Sequence, residues 1–321
     1  MNAFEGDNPT GYTNQWFFGI QRQLSPTLVF EVNYVGSTGV HILDLWNPDQ
    51  ATLGTGPVEP RRPYYSTMPG VTDWRYQESR GTATYNSLQT SLTKRFSSGM
   101  SFLVNYTWSH AMAQGSGIFG PGAPHQNRED LNADRGLSQT DVRQRFVGNW
   151  LYELPFGAGK KYKNDAKGVT QQIVGNWQFG GILQIQSGSP VNVTGGAGRP
   201  NRTCNGNLPK GTRNVNQWFD PACFPIPAPV PDTVNGGVYT PFGNSGGMVI
   251  IAPGLNEWSL SIFKTFPIDE QRSIQFRTEF FNAFNHTAFG VPNTAANQSS
   301  TGVIFSAKDP RNIQFGLKFI F

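Results

Sequence analysis

The sequence has few charged residues and no long apolar run. Asp, Glu, Lys and Arg make up only 14% of its 321 residues, well below the roughly 25% usual for soluble domains. It has no stretch of about 18 consecutive apolar residues, so we expect no transmembrane helix. Its 25 basic residues are scattered, whereas nucleic-acid binding requires a clustered basic patch. We therefore predict no nucleic-acid partner. The opening residues also lack the basic and apolar regions of a signal peptide.

Cysteine is equally scarce. Cys204 and Cys223 are the only two, and both lie in one loop rich in Pro, Gly and Asn. A structural zinc site needs about four ligands, and no histidine is near this pair, so we predict neither a metal nor another cofactor. The spacing favours a disulfide formed in an oxidising compartment. Two free thiols are the alternative.

Glycine, proline and aromatic residues are abundant. The chain contains 37 Gly and 23 Pro, aromatic residues make up 13%, and the mean hydropathy is −0.41. Its polarity comes from amide and hydroxyl side chains rather than from charge. Many aromatics argue against disorder. The combination is typical of a membrane barrel with a wet interior and an apolar outer belt.

Alternation of apolar and polar residues is the main structural signal, and it occurs in nine segments. The segments are 14–24, 27–36, 84–96, 100–110, 145–154, 176–187, 258–266, 273–285 and 311–321. Most are long enough for a tilted bilayer-spanning strand, which needs about 9–11 residues. Strands of soluble proteins usually have about 5–6. Tryptophan recurs near the segment ends, where an interfacial girdle places it. These residues are Trp16, Trp108, Trp150, Trp177 and Trp258.

The links between these segments alternate between short and long. Outer-membrane barrels have short periplasmic turns and longer extracellular loops, so the alternation predicts the same arrangement here. The expected fold is all-β, an antiparallel up-and-down transmembrane β-barrel in the outer membrane of a Gram-negative-type cell envelope. Single-chain bacterial barrels have even strand numbers. Nine strands therefore predict a partial barrel, open as an isolated chain and extending over residues 1–321.

Several phrases, in their order and spacing, carry a family resemblance. They are ADRGLS at 133–138, DVRQRF at 141–146, LPFG at 154–157, WFDP at 218–221, FGNSG at 242–246, FRTEFFNAFNH at 276–286 and DPRNIQFGLKF at 309–319. With them the chain resembles the C-terminal barrel of TonB-dependent receptors of the Oar-like type, which carry a carboxypeptidase-regulatory-like module. The resemblance covers essentially the whole chain.

The resemblance implies partners and also missing parts. A full receptor has a signal peptide, a plug domain and an N-terminal module, and none of these is recognisable in this sequence. We therefore expect the TonB system to act only through the missing N-terminal part. Outer-membrane lipid and the barrel-assembly machinery are the other expected partners. The resemblance further implies an assembly signal in the terminal aromatic pattern, formed by Phe315, Leu317, Phe319 and Phe321. An ordinary apolar strand is the alternative.

Charged residues cluster where a long loop enters a strand. They are Asp134, Arg135, Asp141, Arg143 and Arg145, and we group with them Arg277 and Glu279, which the alternation places toward the lumen. One hypothesis is a polar network at the lumen or rim that touches substrate or plug. The other is a set of ion pairs that anchors the loop. Charges on the lipid side would be costly, so lumen-facing placement is expected for all of them.

Two functions remain open from the sequence. One is uptake of an unidentified ligand by a TonB-dependent outer-membrane receptor, of which this chain is the C-terminal barrel section. The alternative is a structural or adhesive outer-membrane barrel without transport. An enzyme is not predicted, because neither a phosphate loop nor a nucleophile elbow has the required spacing. The ligand-binding residues are not identifiable from the sequence.

Overall fold

Nine long strands form one antiparallel sheet in the computed structural model, which describes residues 2–72, 74–114 and 125–321. The strands are β1 (Tyr12–Ser25), β2 (Leu28–Trp46), β3 (Arg75–Ser97), β4 (Met100–Gln114), β5 (Gln144–Glu153), β6 (Trp177–Gln186), β7 (Leu255–Pro267), β8 (Ser273–Phe281) and β9 (Asn312–Ile320). Each pairs with its neighbours in chain order, so β1 and β9 form the two edges of an open sheet. The predicted all-β, antiparallel, unclosed sheet is therefore confirmed, and we call this nine-stranded sheet the wall.

One short helix, 3-10 turns and short strands lie in the links between the long strands or beside them. The helix α1 spans Gly168–Val174, and 3-10 turns span Glu59–Arg61, Leu131–Asp134 and Pro221–Cys223. The short strands are Asn2–Phe4, Gly136–Leu137, Pro190–Val191, Val230–Pro231, Val238–Tyr239 and Ile250–Ile251. Asn2–Phe4 pairs in parallel with the start of β3. In the described part of the chain, no helix has the length and apolarity needed to cross a bilayer.

The strand register separates an apolar outer face from a polar inner face. Phe18, Tyr34, Leu88 and Trp108 lie side by side across β1 to β4, and all four are exposed. The adjacent row on the other face contains Asn33, Gln89, Thr107 and Arg145. A continuous exposed apolar row suits contact with lipid, and a polar row suits a watery lumen.

Glycines let outer tryptophans lie flat on this wall. Trp16 is paired across the strands with Gly36, and a Cβ atom at that glycine would lie only 2.1 Å from the indole ring. Trp150 covers Gly181 of the neighbouring strand in the same way. Each indole therefore packs directly on the backbone of the glycine opposite it. A side chain at that glycine would displace the indole.

Links of two lengths meet the strands at opposite ends. The turns at 26–27, 98–99, 154–176 and 268–272 lie at one end, and the long links lie at the other. The last short turn is tied by Arg272, which donates a hydrogen bond to Asp269 and holds the pKa of that carboxyl below its ordinary value. Because periplasmic turns are the short ones in outer-membrane barrels, we assign this end to the periplasm.

Three predicted strand boundaries were wrong. β2 does not end at Gly36 but continues to Trp46, and its pairing partner β3 begins at Arg75. The extra pairing passes two register shifts around Ile42 that interrupt the alternation, and its β3 half, RYQESRGTA at 75–83, is polar. The predicted end of β8 at Asn285 was also wrong. The strand ends at Phe281, because Asn282 adopts a positive φ of 48° that leaves the sheet conformation.

Candidate functional site

The long links pack on one another at the extracellular end. We call the described parts of these links the loop layer, which comprises residues 47–72, 125–143, 187–254 and 282–311. The Thr55 amide donates to Asp232 Oδ2 at 2.8 Å, so the first link is bound to the third. The Gln50 side chain donates to the Gln126 carbonyl at 2.8 Å, and Gln126 donates in turn to the Gly243 carbonyl at 3.0 Å. Three links are thereby joined by side-chain amides and a carboxylate.

Asp232 is a further tie within the layer. It accepts hydrogen bonds from the backbone amides of Thr55, Asn235 and Val234. These bonds favour the carboxylate and hold the pKa of Asp232 well below its ordinary value. The residue therefore stays charged, and keeps accepting these hydrogen bonds, throughout the physiological pH range.

The loop layer has its own small apolar core. Its buried members are Val193, Phe219, Cys223, Phe224, Ile250 and Ala296. Phe219 and Phe224 meet edge to face with ring centroids 5.8 Å apart. The Cys204 and Cys223 sulfur atoms are bonded, with the two Cα atoms 5.0 Å apart. The disulfide therefore attaches an exposed segment to the centre of this core.

Six charged side chains of alternating sign connect the wall to the loop layer. We call them the ion-pair chain, which consists of Glu78, Arg80, Asp44, His125, Asp134 and Arg199. The first three lie on the extended part of the β2–β3 hairpin. Arg80 Nε lies 3.9 Å from Asp44 Oδ2, and Arg199 pairs with Asp134. Asp44, Asp134 and Arg199 are almost completely buried. Burial of so many charges requires each to be paired.

His125 is the centre of this chain. Its Nδ1 lies 2.7 Å from Asp134 Oδ2, and its Nε2 lies 2.8 Å from Asp44 Oδ2. A carboxylate only accepts hydrogen bonds, so both ring nitrogens carry a proton and the imidazole is a cation. Burial alone would lower the pKa of His125. The hydrogen bonds to Asp134 and Asp44 outweigh that effect and raise the pKa to about 9.

The stability of the loop layer should therefore fall at alkaline pH. The folded-state pKa of His125 is above the ordinary value of 6.5, so its stabilising contribution is complete below about 6.5 and is lost as the pH rises through about 9. We expect proteolysis of the loops on intact cells to accelerate over this range. His125→Gln should be cleaved faster at neutral pH and should lack this acceleration. Equal pH profiles for the two proteins would contradict the assignment.

The residues predicted as one network occupy three separate places. Asp134 belongs to the ion-pair chain, whereas the neighbouring Arg135 is exposed. Asp141 is buried, accepts a hydrogen bond from the Ala111 amide at 2.7 Å and lies 3.6 Å from Arg143. This second group attaches the end of the loop to β4. The two groups are close in sequence, but Asp134 contacts the loop layer and Asp141 contacts the wall.

The other predicted members lie on the inner face of the wall. Arg145 occupies the polar row beside Thr107. Arg277 donates to Gln275 Oε1 at 2.9 Å, and its guanidinium lies 5.6 Å from the centre of the Phe263 ring. Glu279 is paired across the strands with Ser261 and Gln314. These side chains lie on the polar inner face of the wall and not in the loop layer.

The terminal aromatic pattern faces outward along β9. Phe315, Leu317 and Phe319 alternate on the exposed face, and Phe321 follows the end of the strand. Phe315 stacks on Phe276 of β8 with ring centroids 6.2 Å apart. Phe319 and Phe321 stack on each other at 5.9 Å. The pattern is thus presented at the periplasmic end of an edge strand.

Sequence reasoning missed most of the ion-pair chain. Asp44, Arg80 and Arg199 are separated from Asp134 by tens of residues, and single charges in polar segments resemble solvated surface. His125 is near acidic residues in the sequence, but its spacing from them is not typical of a metal site. In the described residues, no group of three or more such side chains is arranged to hold a metal ion. One available signal was the position of Asp44 between apolar neighbours Leu43 and Leu45.

An open antiparallel wall with a lipid-suited face, a polar face and a loop layer at one end defines an outer-membrane β-barrel. The sequence matches the family described as "Outer membrane beta barrel domain" over residues 1–314. The chain therefore belongs to this family and is located in the outer membrane. No curated protein matches the sequence.

Solved structures show distant likeness. FpvA of P. aeruginosa, described bound to heterologous pyoverdines, is 11% identical with a TM-score of 0.43, and the match covers 96% of this chain and 27% of that one. The outer membrane transporter YddB of Escherichia coli is 9% identical with a TM-score of 0.44, covering 98% and 33%. The FrpB iron transporter of Neisseria meningitidis is 9% identical with a TM-score of 0.46, covering 99% and 32%. The chain thus spans about a third or less of each of these proteins.

Proposed function

We propose that the chain is the C-terminal barrel section of a TonB-dependent outer-membrane receptor of the Oar-like type, and that the receptor takes up a ligand captured by its extracellular loops. Family membership and the phrases from ADRGLS to DPRNIQFGLKF support this proposal. In such a receptor, the signal peptide, the plug and the N-terminal module would lie outside these residues. The contact with TonB would come from that part.

The observation that carries the proposal is the loop layer at the end of a polar-faced wall. A barrel that serves only as a structural element has little need for long loops with a separate core, a disulfide and a buried ion-pair chain. Rigid loops suit ligand capture, because pre-ordered contacts avoid the entropy cost of ordering them on binding. The polar inner face then offers a hydrated route below the layer.

Cross-linking to TonB tests this function without knowledge of the ligand. Living cells of the source organism would be treated with formaldehyde, and the protein would be isolated with an antibody against residues 188–257. We expect a larger adduct that an anti-TonB antibody also recognises and that disappears when TonB is deleted. A protein found in the outer membrane without such an adduct would favour the structural or adhesive alternative.

The terminal aromatic pattern gives a separate prediction about assembly. We propose that the barrel-assembly machinery reads it, because these side chains lie exposed at the end of an edge strand. Phe321→Ala should reduce the amount of folded protein in the outer membrane severalfold. Phe305→Ala, in the loop layer and also exposed, is the matched control. Heat-modifiable migration of outer-membrane extracts measures the folded fraction, and equal amounts for the two variants would refute the signal.

A further inference from the structure

The longest periplasmic turn folds back over the outer face of the wall. This turn, residues 154–176, contains α1. The register places Lys264 of β7 on the outer face, beside Trp177. The Lys264 ammonium group donates to the carbonyls of Ile173 and Gly175, and the Trp177 indole donates to the Ile173 carbonyl at 2.8 Å. The C-terminal end of α1 is therefore fixed against the side of the barrel that faces lipid.

The fixing contacts explain an otherwise costly lysine. A cation on the lipid-facing side of a barrel is destabilising at the bilayer midplane and much less so near the interface. Lys264 is only 2% exposed, and its ammonium also lies 5.1 Å from the Trp177 ring centre and 5.2 Å from that of Phe266. Cations also interact favourably with helix C-termini. The least costly position for Lys264, and for the helix end that it holds, is therefore near the interface.

The two faces of α1 differ in exposure. Gln171 and Val174 face the protein and are partly buried, and Gln171 Oε1 accepts from the Ala158 amide at 2.7 Å. Val169 and Ile173 are one helical turn apart on the opposite face. They are 76% and 63% exposed. Two large aliphatic side chains are therefore presented outward at the edge of the lipid belt.

The segment leading into α1 is basic. Lys160 pairs with Glu153 at 2.7 Å, but Lys161, Lys163 and Lys167 are exposed. Asp165 is the one acidic residue between Leu154 and Asn176. An interfacial helix combines apolar side chains that enter the acyl boundary with basic side chains that contact anionic headgroups. The turn has both features.

We propose that this turn is a docking surface for anionic phospholipid in the inner leaflet of the outer membrane. Val169 and Ile173 enter the boundary between headgroups and acyl chains. Lys163 and Lys167 bind the lipid phosphate. The proposal concerns the lipid contact of the barrel and is independent of any ligand uptake.

Spin labelling tests the position of α1. The protein would be extracted from outer membranes and placed in phosphatidylcholine vesicles with and without phosphatidylglycerol. Nitroxide would be attached after Ile173→Cys, and for comparison after Val234→Cys, an exposed loop-layer position. We expect the label at position 173 to be more accessible to oxygen than to a water-soluble nickel chelate when phosphatidylglycerol is present. The label at position 234 should show the reverse. Equal behaviour of the two labels overturns the proposal.

Lipid titration tests the basic segment. Phosphatidylglycerol and phosphatidylcholine of equal chain length would be titrated into the detergent-solubilised protein, with bound lipid counted by native mass spectrometry. We expect preference for phosphatidylglycerol, and about fivefold weaker binding for each lysine removed in Lys163→Gln/Lys167→Gln. The control, Lys210→Gln/Lys308→Gln, changes two exposed lysines of the loop layer and should leave binding unchanged. Equal binding of both lipids by the unmodified protein refutes the anionic-lipid site whatever the variants do.

Discussion

Asp134→Asn should release the loop layer from the wall while leaving the barrel in the outer membrane. Asp134 is completely buried and pairs with both His125 and Arg199. Its replacement by a neutral amide leaves two buried cations without their shared carboxylate. Breaking a buried ion pair by removing one partner costs about 3–5 kcal/mol. The cost falls on the loops, because the strand hydrogen bonds of β2 to β4 do not depend on this residue.

Protease digestion of intact cells measures this release. We expect the loops of the Asp134→Asn protein to be cleaved much faster than those of the unmodified protein, with equal amounts of folded barrel in the membrane. Glu129→Gln is the matched control, because Glu129 lies in the same loop and pairs with Arg128 at the surface. Exposed pairs contribute only about 0–1 kcal/mol. Equal cleavage rates for the two variants would falsify the structural role of the ion-pair chain.

Loss of the disulfide should destabilise the loop layer around its apolar core. Cys204 and Cys223 close a segment of 19 sequence positions. A closed loop of this size stabilises the folded state by about 3 kcal/mol in the chain-entropy description. Cys223 is also a member of the apolar core, so Cys204→Ala/Cys223→Ala should loosen the segment between them. We expect new cleavage sites between these two positions rather than around His125 and Asp134.

Chemical reduction provides the control for this second variant. A reductant should increase cleavage of the unmodified protein on cells to the level of the double variant, and it should have no effect on the double variant itself. A reductant effect of equal size in both proteins would mean that the lost stability does not come from this bond. Mapping the cleavage sites by mass spectrometry distinguishes local opening from general unfolding.

The wall was predictable because the alternation of apolar and polar residues indicates both where the strands lie and which face each side chain occupies. In β9, Phe315, Leu317 and Phe319 alternate with polar residues, and the same parity places them on the lipid-suited face. Strand order followed from the regular change between short and long links. Because antiparallel neighbours in such a chain are consecutive, the sequence needed no long-range information to predict their pairing.

The loop layer was not predictable for the opposite reason. His125 meets Asp44 across 81 positions of the sequence, and Arg199 meets Asp134 across 65. No periodicity connects such residues, since each contact depends on how an irregular loop folds. The extended β2–β3 hairpin was missed because its pairs lie beyond the lipid belt, where neither face needs to be apolar. Asp134 was recognised only as part of a local cluster, and its actual partners lie elsewhere.

The alternation of charge along the ion-pair chain has a consequence for how molecules approach the cell surface. Three carboxylates and three cations cancel at neutral pH, so their potentials oppose one another within a few ångströms. Electrostatic attraction over longer distances requires an excess of one sign. The ion-pair chain can therefore hold the loops in place without attracting or repelling ions in the surrounding medium. Preference of the loop layer for a charged solute must then originate in its other, exposed groups.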